Sequence, residues 1–300
     1  MSSNRKEWSG ITGGGDLGLN FLIALVGHAP LWLSYAVLDI FLPVHVLFHK
    51  KEFSATRDYF SKRFGCGSRD SRRKAYACHR LFGQMMFDRF RFYSKGMDGL
   101  EVQVDGEEEV EDRLSRGRGF VLAGAHVGSM EMVGYIFGND RIPVSALVFG
   151  GENKVMQSHR SKVMSDHCVK MIPVKEDMSH IFAIKNAIDA GEVVSMPCDR
   201  LFGSKKYYEL PFLGAVARFP VGAFVLAAQT GADIVTVFAF KEGRRSYKVI
   251  ARPLDVVRDG WNIRTVASEL ASEYVKVLEE MVRMYPEQWF NFYDFWNCDE

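Results

Sequence analysis

The sequence predicts an α/β fold: a mostly parallel central sheet flanked by helices, preceded by an N-terminal hydrophobic helical hairpin or membrane anchor. Two patterns carry this expectation. From about residue 100 onward, short apolar runs alternate with segments of helical spacing, as expected of strands joined by crossover helices. Before them, the stretch from Leu17 to Phe48, "LGLNFLIALVGHAPLWLSYAVLDIFLPVHVLF", is nearly all apolar. The chain's 300 residues are ample for a buried core.

The N-terminal stretch is too long for the apolar region of a secretory signal, and no small-residue cleavage site follows it. A helix that spans a bilayer needs roughly 20 uninterrupted apolar residues. Here His28-Ala29-Pro30 divides the run into a shorter and a longer helical piece. The basic segment "HKKEFSATRDYFSKRFGCGSRDSRRK" comes next, so Lys50, Lys51, Arg57, Lys62 and Arg63 are expected to face anionic headgroups. Arg5 and Lys6 add positive charge on the other flank, which suits a segment entering and leaving on the cytoplasmic face. Residues 1–50 are thus read as a membrane-associating segment and 51–300 as a single α/β domain.

Within that domain "SRDSRRKAYACHRLFGQMMFDRFRFYSKG" has N-cap residues, helical spacing and a closing glycine. "LEVQVDG" reads as a strand, and the acidic run after it as a solvated helix start. "GFVLAGAH", "IPVSALVFG", "VKMIPV" and "EVVSMPCD" read as further strands, separated by helical segments such as "NKVMQSHRSKVMSDH" and "SHIFAIKNAIDAG". "VGAFVLAAQTG" is expected to be a helix, "DIVTVFAF" and "SYKVIA" strands, and "IRTVASELASEYVKVLEEMVRMY" a long amphipathic helix.

Several function classes are disfavoured. The net charge of +1 offers no field for nucleic acid. Five scattered cysteines, without a C-x-x-C pair, argue against a disulfide framework or a zinc site. There is no G-x-S-x-G elbow, no phosphate loop and no H-E-x-x-H helix. "GITGGGDLG" is glycine-rich, but no strand precedes it.

The segment "GAHVGSMEMVG" places His126 at the end of a strand-like run and Glu131 in the opening turns of a helical one. Five residues advance an ideal helix by about 500°, so the two can meet only if His126 sits in the turn. Glu131 would then accept a hydrogen bond from one ring nitrogen and leave the other as a base. Gly124 and Gly128 permit a tight turn and close approach of a ligand.

This block resembles the H-x-x-x-x-D/E motif of the lysophospholipid acyltransferase superfamily, and the chain is similar to its bacterial lipid A late acyltransferase branch. The similarity also rests on "VVSMPCDR", "LPFLGAVARFPVGAFVLAAQTGADIV" and "YPEQWF", which follow in the family's order. The resemblance implies transfer of a fatty acyl group from an acyl carrier protein or coenzyme A thioester to a hydroxyl or amine of a membrane lipid. His126 would act as base and Glu131 as its orienting acid. Asp199, Arg200, Gly128 and Ser129 would form the substrate-binding set, with Arg200 or backbone N–H groups of the turn meeting the oxyanion and Asp199 organising the site by holding Arg200. No metal or organic cofactor is implied, and the location would be the cytoplasmic face of the bacterial inner membrane. The branch's Arg-Pro element is replaced by Gly150-Gly151, and Arg160 lies further along a helix. The C-terminal "WFNFYDFWNCDE" is aromatic and acidic rather than basic, so an aminoacyl lipid, a polar glycolipid or a pigment-like acceptor competes with a lipid A precursor. A catalytically silent lipid-binding or scaffold protein of the same fold is the alternative.

Overall fold

The computed structural model describes residues 15–97, 99–137, 143–148, 154–174, 179–201, 205–256 and 262–297. Arg5, Lys6, Gly150 and Gly151 lie outside them. The expected α/β architecture is present, built on a seven-stranded mixed sheet.

Four helices open the described chain: α1 (Gly15–His28), α2 (Leu31–Phe48), α3 (Lys50–Phe64) and α4 (Ser68–Lys95). The break between α1 and α2 falls at Ala29-Pro30, where proline both ends one helix and starts the next. Helix α4 is the spine of this region, since α1, α2 and α3 all pack on it. Leu31, Ser34, Tyr35 and Leu42 are the buried face of α2. Its opposite face leaves Trp32, Ile40, Phe41, Leu47 and Phe48 exposed. Helix α2 is long and apolar enough to cross a membrane.

The sheet follows: β1 (Glu101–Asp105), α5 (Glu107–Ser115), β2 (Phe120–Gly124), α6 (Met130–Phe137), β3 (Val144–Val148), α7 (Lys154–Asp166), β4 (Val169–Pro173), α8 (Ser179–Asp189) and β5 (Val193–Pro197). A hairpin, β6 (Tyr207–Phe212) and β7 (Ala215–Pro220), is followed by α9 (Gly222–Thr230), β8 (Ile234–Lys241), β9 (Ser246–Pro253) and α10 (Ile263–Met284). The strand order is β1-β9-β8-β2-β5-β3-β4. Every pairing is parallel except β8 with β9. Strands β2 and β8 are buried along their whole length, as their continuous apolar runs require when helices cover both faces. Helix α10 begins at an N-cap where Asn262 accepts from the Thr265 N–H at 3.0 Å, and it lays Val266, Leu270, Tyr274, Leu278 and Met281 on the core.

The β6–β7 hairpin forms a separate two-stranded sheet and has no counterpart in the elements expected from sequence. Its turn is Leu213-Gly214, both with positive φ (50° and 78°), between the paired Phe212 and Ala215. Asparagine–glycine is the usual signal for such a turn. Leucine carries no such signal and tolerates the conformation only with support. Here the Leu213 N–H donates to the Glu279 carboxylate at 2.6 Å and the side chain is buried.

A buried polar knot fastens the N-terminal helices to the sheet. Asp88 of α4 accepts from Lys241 Nζ (2.6 Å) and Tyr247 Oη (2.5 Å) on one oxygen and from Tyr35 of α2 on the other. Asp88 and Lys241 each keep only 3% of their side-chain surface exposed. Removing one member of such a pair strands the other charge. Lys241→Met is therefore expected to destabilise the protein by about 3–5 kcal/mol, while Asp88→Leu/Lys241→Met removes the stranded charge but recovers only part of that loss, because the Tyr35 and Tyr247 hydroxyls lose their acceptor. Thermal or denaturant unfolding of the three proteins checks it; equal stability of the single variant and wild type would contradict the role given to the knot.

Candidate active site

Strands β2 and β5 are parallel neighbours whose last paired residues are Gly124 and Pro197. His126 and Asp199 each lie two residues beyond that pair, so the register brings them side by side at the carboxyl ends of the strands, where α/β sheets place ligands. Asp199 Oδ1 lies 2.8 Å from His126 Nδ1, and Asp199 Oδ2 accepts the His126 backbone N–H at 2.9 Å. An ionised carboxylate only accepts, so Nδ1 carries the proton and the ring's basic lone pair is at Nε2. Asp199 is 1% exposed, whereas His126 is 27% exposed. The pair is thus a buried acid holding a reachable imidazole.

Burial by itself would push the Asp199 carboxyl up. The charge and hydrogen bond of the His126 ring, the nearby Arg200 guanidinium and the His126 backbone N–H outweigh it and hold the group below the ordinary aspartate value.

The turn that carries His126 is clamped from outside. The C-terminal segment after α10 forms a short 3₁₀ turn, Pro286–Gln288, and then runs antiparallel to Val127 through Trp289. Phe290 donates its N–H to the His126 carbonyl (2.9 Å), and Gly128 donates to the Gln288 carbonyl (2.8 Å). Gln288 is itself fixed by paired side-chain bonds to the Lys241 backbone. Trp289 is 2% exposed and packs on Tyr59, Phe212 and Phe295. The aromatic end of the chain is therefore largely a packing strap, with Tyr293 its exposed member.

Gly128 has φ +62°, and a Cβ built there would meet the Ala239 carbonyl oxygen at 2.1 Å, so no side chain fits without backbone movement. Its neighbour Ser129 donates its N–H to that same carbonyl (2.7 Å). Backbone N–H groups of this turn are the sequence's candidates for meeting an oxyanion, but the Gly128 N–H is occupied in holding the turn to the C-terminal strap and the Ser129 N–H in holding it to β8. Arg200 donates to the Phe290 carbonyl (2.9 Å) and faces the Tyr293 ring. Asp199 is thus bonded to His126, not to Arg200 as the sequence reading had it.

Glu131 opens α6 as expected, but its carboxylate turns to α4 and α7. It pairs with Arg89 and lies 3.4 Å from Tyr93 Oη and 3.8 Å from Arg160. The partner of His126 Nδ1 is Asp199 rather than the acid five residues on. Arg160, set aside in the sequence because of its distance along a helix, is brought to Glu131 by α7. Tyr93 also stacks on His159, which bonds Asn20 of α1 at 2.8 Å. No group of three or more histidine, cysteine or acidic side chains that could hold a metal ion occurs among the described residues.

The chain is thus an α/β sheet flanked by helices, with a histidine–aspartate pair at the carboxyl ends of two neighbouring parallel strands. The model of the bacterial lipid A biosynthesis acyltransferase family matches residues 64–297, and the chain belongs to that family. The activity this family indicates is acyl transfer of the lipid A type, with a lipid acceptor and an acyl donor as substrates. No individual curated protein matches the chain.

A carboxyl with a lower pKa in the folded state stabilises the fold above its unfolded value of about 3.9 and loses that contribution as pH falls through the folded value. The stability gap between wild type and Asp199→Asn is therefore expected to be full above about pH 5 and to close at lower pH. Denaturant titrations across a pH series measure it; a gap that does not change with pH would contradict the assignment.

Proposed function

We propose that this protein is a membrane-associated acyltransferase in which His126, held by Asp199, is the general base. The observation that carries the reading is the contrast in exposure across one hydrogen bond: the acid is sealed and the imidazole is partly exposed. An acceptor hydroxyl or amine gives its proton to Nε2 as its oxygen or nitrogen attacks the thioester carbonyl carbon. The C–S bond then breaks, the acyl group stays on the acceptor as an ester or amide, and the leaving thiolate of the carrier protein or coenzyme A takes the proton back from Nε2, which restores the base. Asp199 stabilises the imidazolium that forms in between.

With the Gly128 and Ser129 amides bonded to protein carbonyls, the Arg200 guanidinium beside Asp199 is the cation the geometry offers to a developing oxyanion. Glu131 acts at one remove, as the carboxylate that positions Arg89 and Arg160. The acyl thioester is a co-substrate, and the chemistry calls for no metal or organic cofactor.

Membrane association is supported by the exposed apolar face of α2. Asp39 lies in the middle of that helix but pairs with Arg80 of α4 in a two-point contact (2.5 and 2.7 Å), so the helix is fastened to the protein along one side. This favours seating at the interface of the bilayer, with the other side in lipid. The basic residues beyond α2 suit the cytoplasmic face of the inner membrane. Arg63 departs from the role expected of it: it lies over the Trp296 ring at 4.1 Å.

The test is acyl transfer by purified protein supplied with a long-chain acyl thioester and a membrane lipid extract. His126→Ala is expected to lose activity by on the order of a thousandfold or more while remaining folded. In Asp199→Asn the fixed backbone N–H claims the amide oxygen and turns the NH₂ toward Nδ1, forcing the other tautomer; the expected loss is about 10²- to 10⁴-fold. No product from wild type under these conditions would favour the silent lipid-binding alternative, and full activity in His126→Ala would remove it as the base.

A further inference from the structure

A second feature lies where the anchor meets the domain. The end of α2, the start of α3 and the first turns of α4 enclose a cavity of about 750 Å³. Five cationic side chains line it: Lys50, Arg57, Arg69, Arg72 and Arg73. Two are partly neutralised, Arg57 by Asp58 at 3.2 Å and Arg73 by Asp70 at 2.8 Å. Lys50, Arg69 and Arg72 have no carboxylate partner among the described residues. The remaining wall is apolar, from Pro43, Val46 and Leu47 of α2 with Phe53 and Tyr76.

Three uncompensated cations around one hollow repel each other and gain from an anion that all can reach. The first turns of α4 add the positive end of a helix dipole at the same place. The lip of the hollow is continuous with the exposed apolar face of α2, including Val44, Leu47 and Phe48. An acidic soluble protein docked on the cations would leave that apolar edge in water. A lipid covers both: its phosphate meets the guanidinium groups, and its acyl chains run along α2.

We propose that this cavity is a discrete binding site for the phosphate headgroup of an anionic membrane phospholipid, separate in role from the acceptor and acyl donor. It rests on the membrane-associated reading given above and deepens it. One headgroup bound there fixes the depth and rotation of α2 in the bilayer. Through the pairing of Asp39 with Arg80 and of Tyr35 with Asp88, that orientation is passed to α4 and the sheet.

The test uses the full-length protein and vesicle co-flotation. One set of vesicles is purely zwitterionic; the other contains about 30 mol% phosphatidylglycerol, which supplies the negative surface. Arg69→Gln/Arg72→Gln is expected to weaken binding to the anionic vesicles about thirtyfold, which corresponds to about 1 kcal/mol per removed cation, and to leave zwitterionic binding unchanged. The charge-matched control Arg118→Gln/Arg264→Gln removes two exposed cations from segments preceding β2 and opening α10, away from the hollow, and is expected to bind like wild type. Equal losses in the two variants would reduce the effect to diffuse attraction and overturn the site. So would unchanged vesicle binding combined with a raised KM for a carrier-protein thioester, which would make the hollow a carrier dock. Ile40→Glu/Phe41→Glu, on the exposed face of α2, is expected to abolish binding to both vesicle types. Retained binding there, or failure of wild type to bind any vesicle, would remove the membrane reading itself.

Discussion

One carboxylate organises the site at the carboxyl ends of the strands. Asp199 reaches the His126 ring with one oxygen and the His126 backbone with the other, so it fixes both where the residue is and which way the imidazole faces. Two contacts to one residue leave little freedom for either side chain. The arrangement requires that Asp199 be charged while buried, and the compensation comes almost entirely from His126 and Arg200. Loss of the imidazole would therefore leave a stranded acid, and loss of the acid would leave an unguided base.

The rest of the fold can be understood as what holds that contact in place. Parallel pairing of β2 and β5 sets equal lengths of chain beyond the sheet on each strand. The strap from Gln288 to Phe290 then closes over the turn by backbone bonds, and its aromatic side chains seal the back of the site. Tyr274 and Cys198 both donate to the Gly124 carbonyl from the other side, Tyr274 through its hydroxyl and Cys198 through its backbone N–H. Glu131 belongs to a neighbouring cluster with Arg89 and Arg160, which joins α4, α6 and α7 beside the histidine turn. Helix α4 thus links three features: the N-terminal helices, the Asp88 knot and the arginine cluster.

Much of this was legible in the sequence because its local signals agree with the final fold. Short uninterrupted runs such as "GFVLAGAH" and "DIVTVFAF", bounded by glycine or charged residues, read as buried strands, and Pro30 marks the break between the first two helices. His126 stands out in the sequence as a titratable side chain in a glycine-rich turn after such a run, within a block that resembles the family's H-x-x-x-x-D/E motif. The acid bonded to its ring differs from the one the sequence suggests for a physical reason. Glu131 is near in sequence, whereas Asp199 is near only because β5 inserts between β2 and β3 in the sheet, and strand order is not written in any local pattern. The signal was present in a weaker form, since "EVVSMPCD" ends in an acid at the same offset as the histidine on "GFVLAGAH". Leu213 hid the hairpin turn, because the residue that stabilises its positive φ, Glu279, lies on α10.

The claim on which the mechanism depends is that Asp199, and not Glu131, receives the Nδ1 proton of His126. Proton NMR of protein carrying ¹⁵N-labelled histidine observes that proton directly. The account predicts a strongly deshielded Nδ1–H resonance, assigned by its loss in His126→Gln, that persists in Glu131→Gln and vanishes in Asp199→Asn. A resonance that survives in Asp199→Asn and disappears in Glu131→Gln would contradict it.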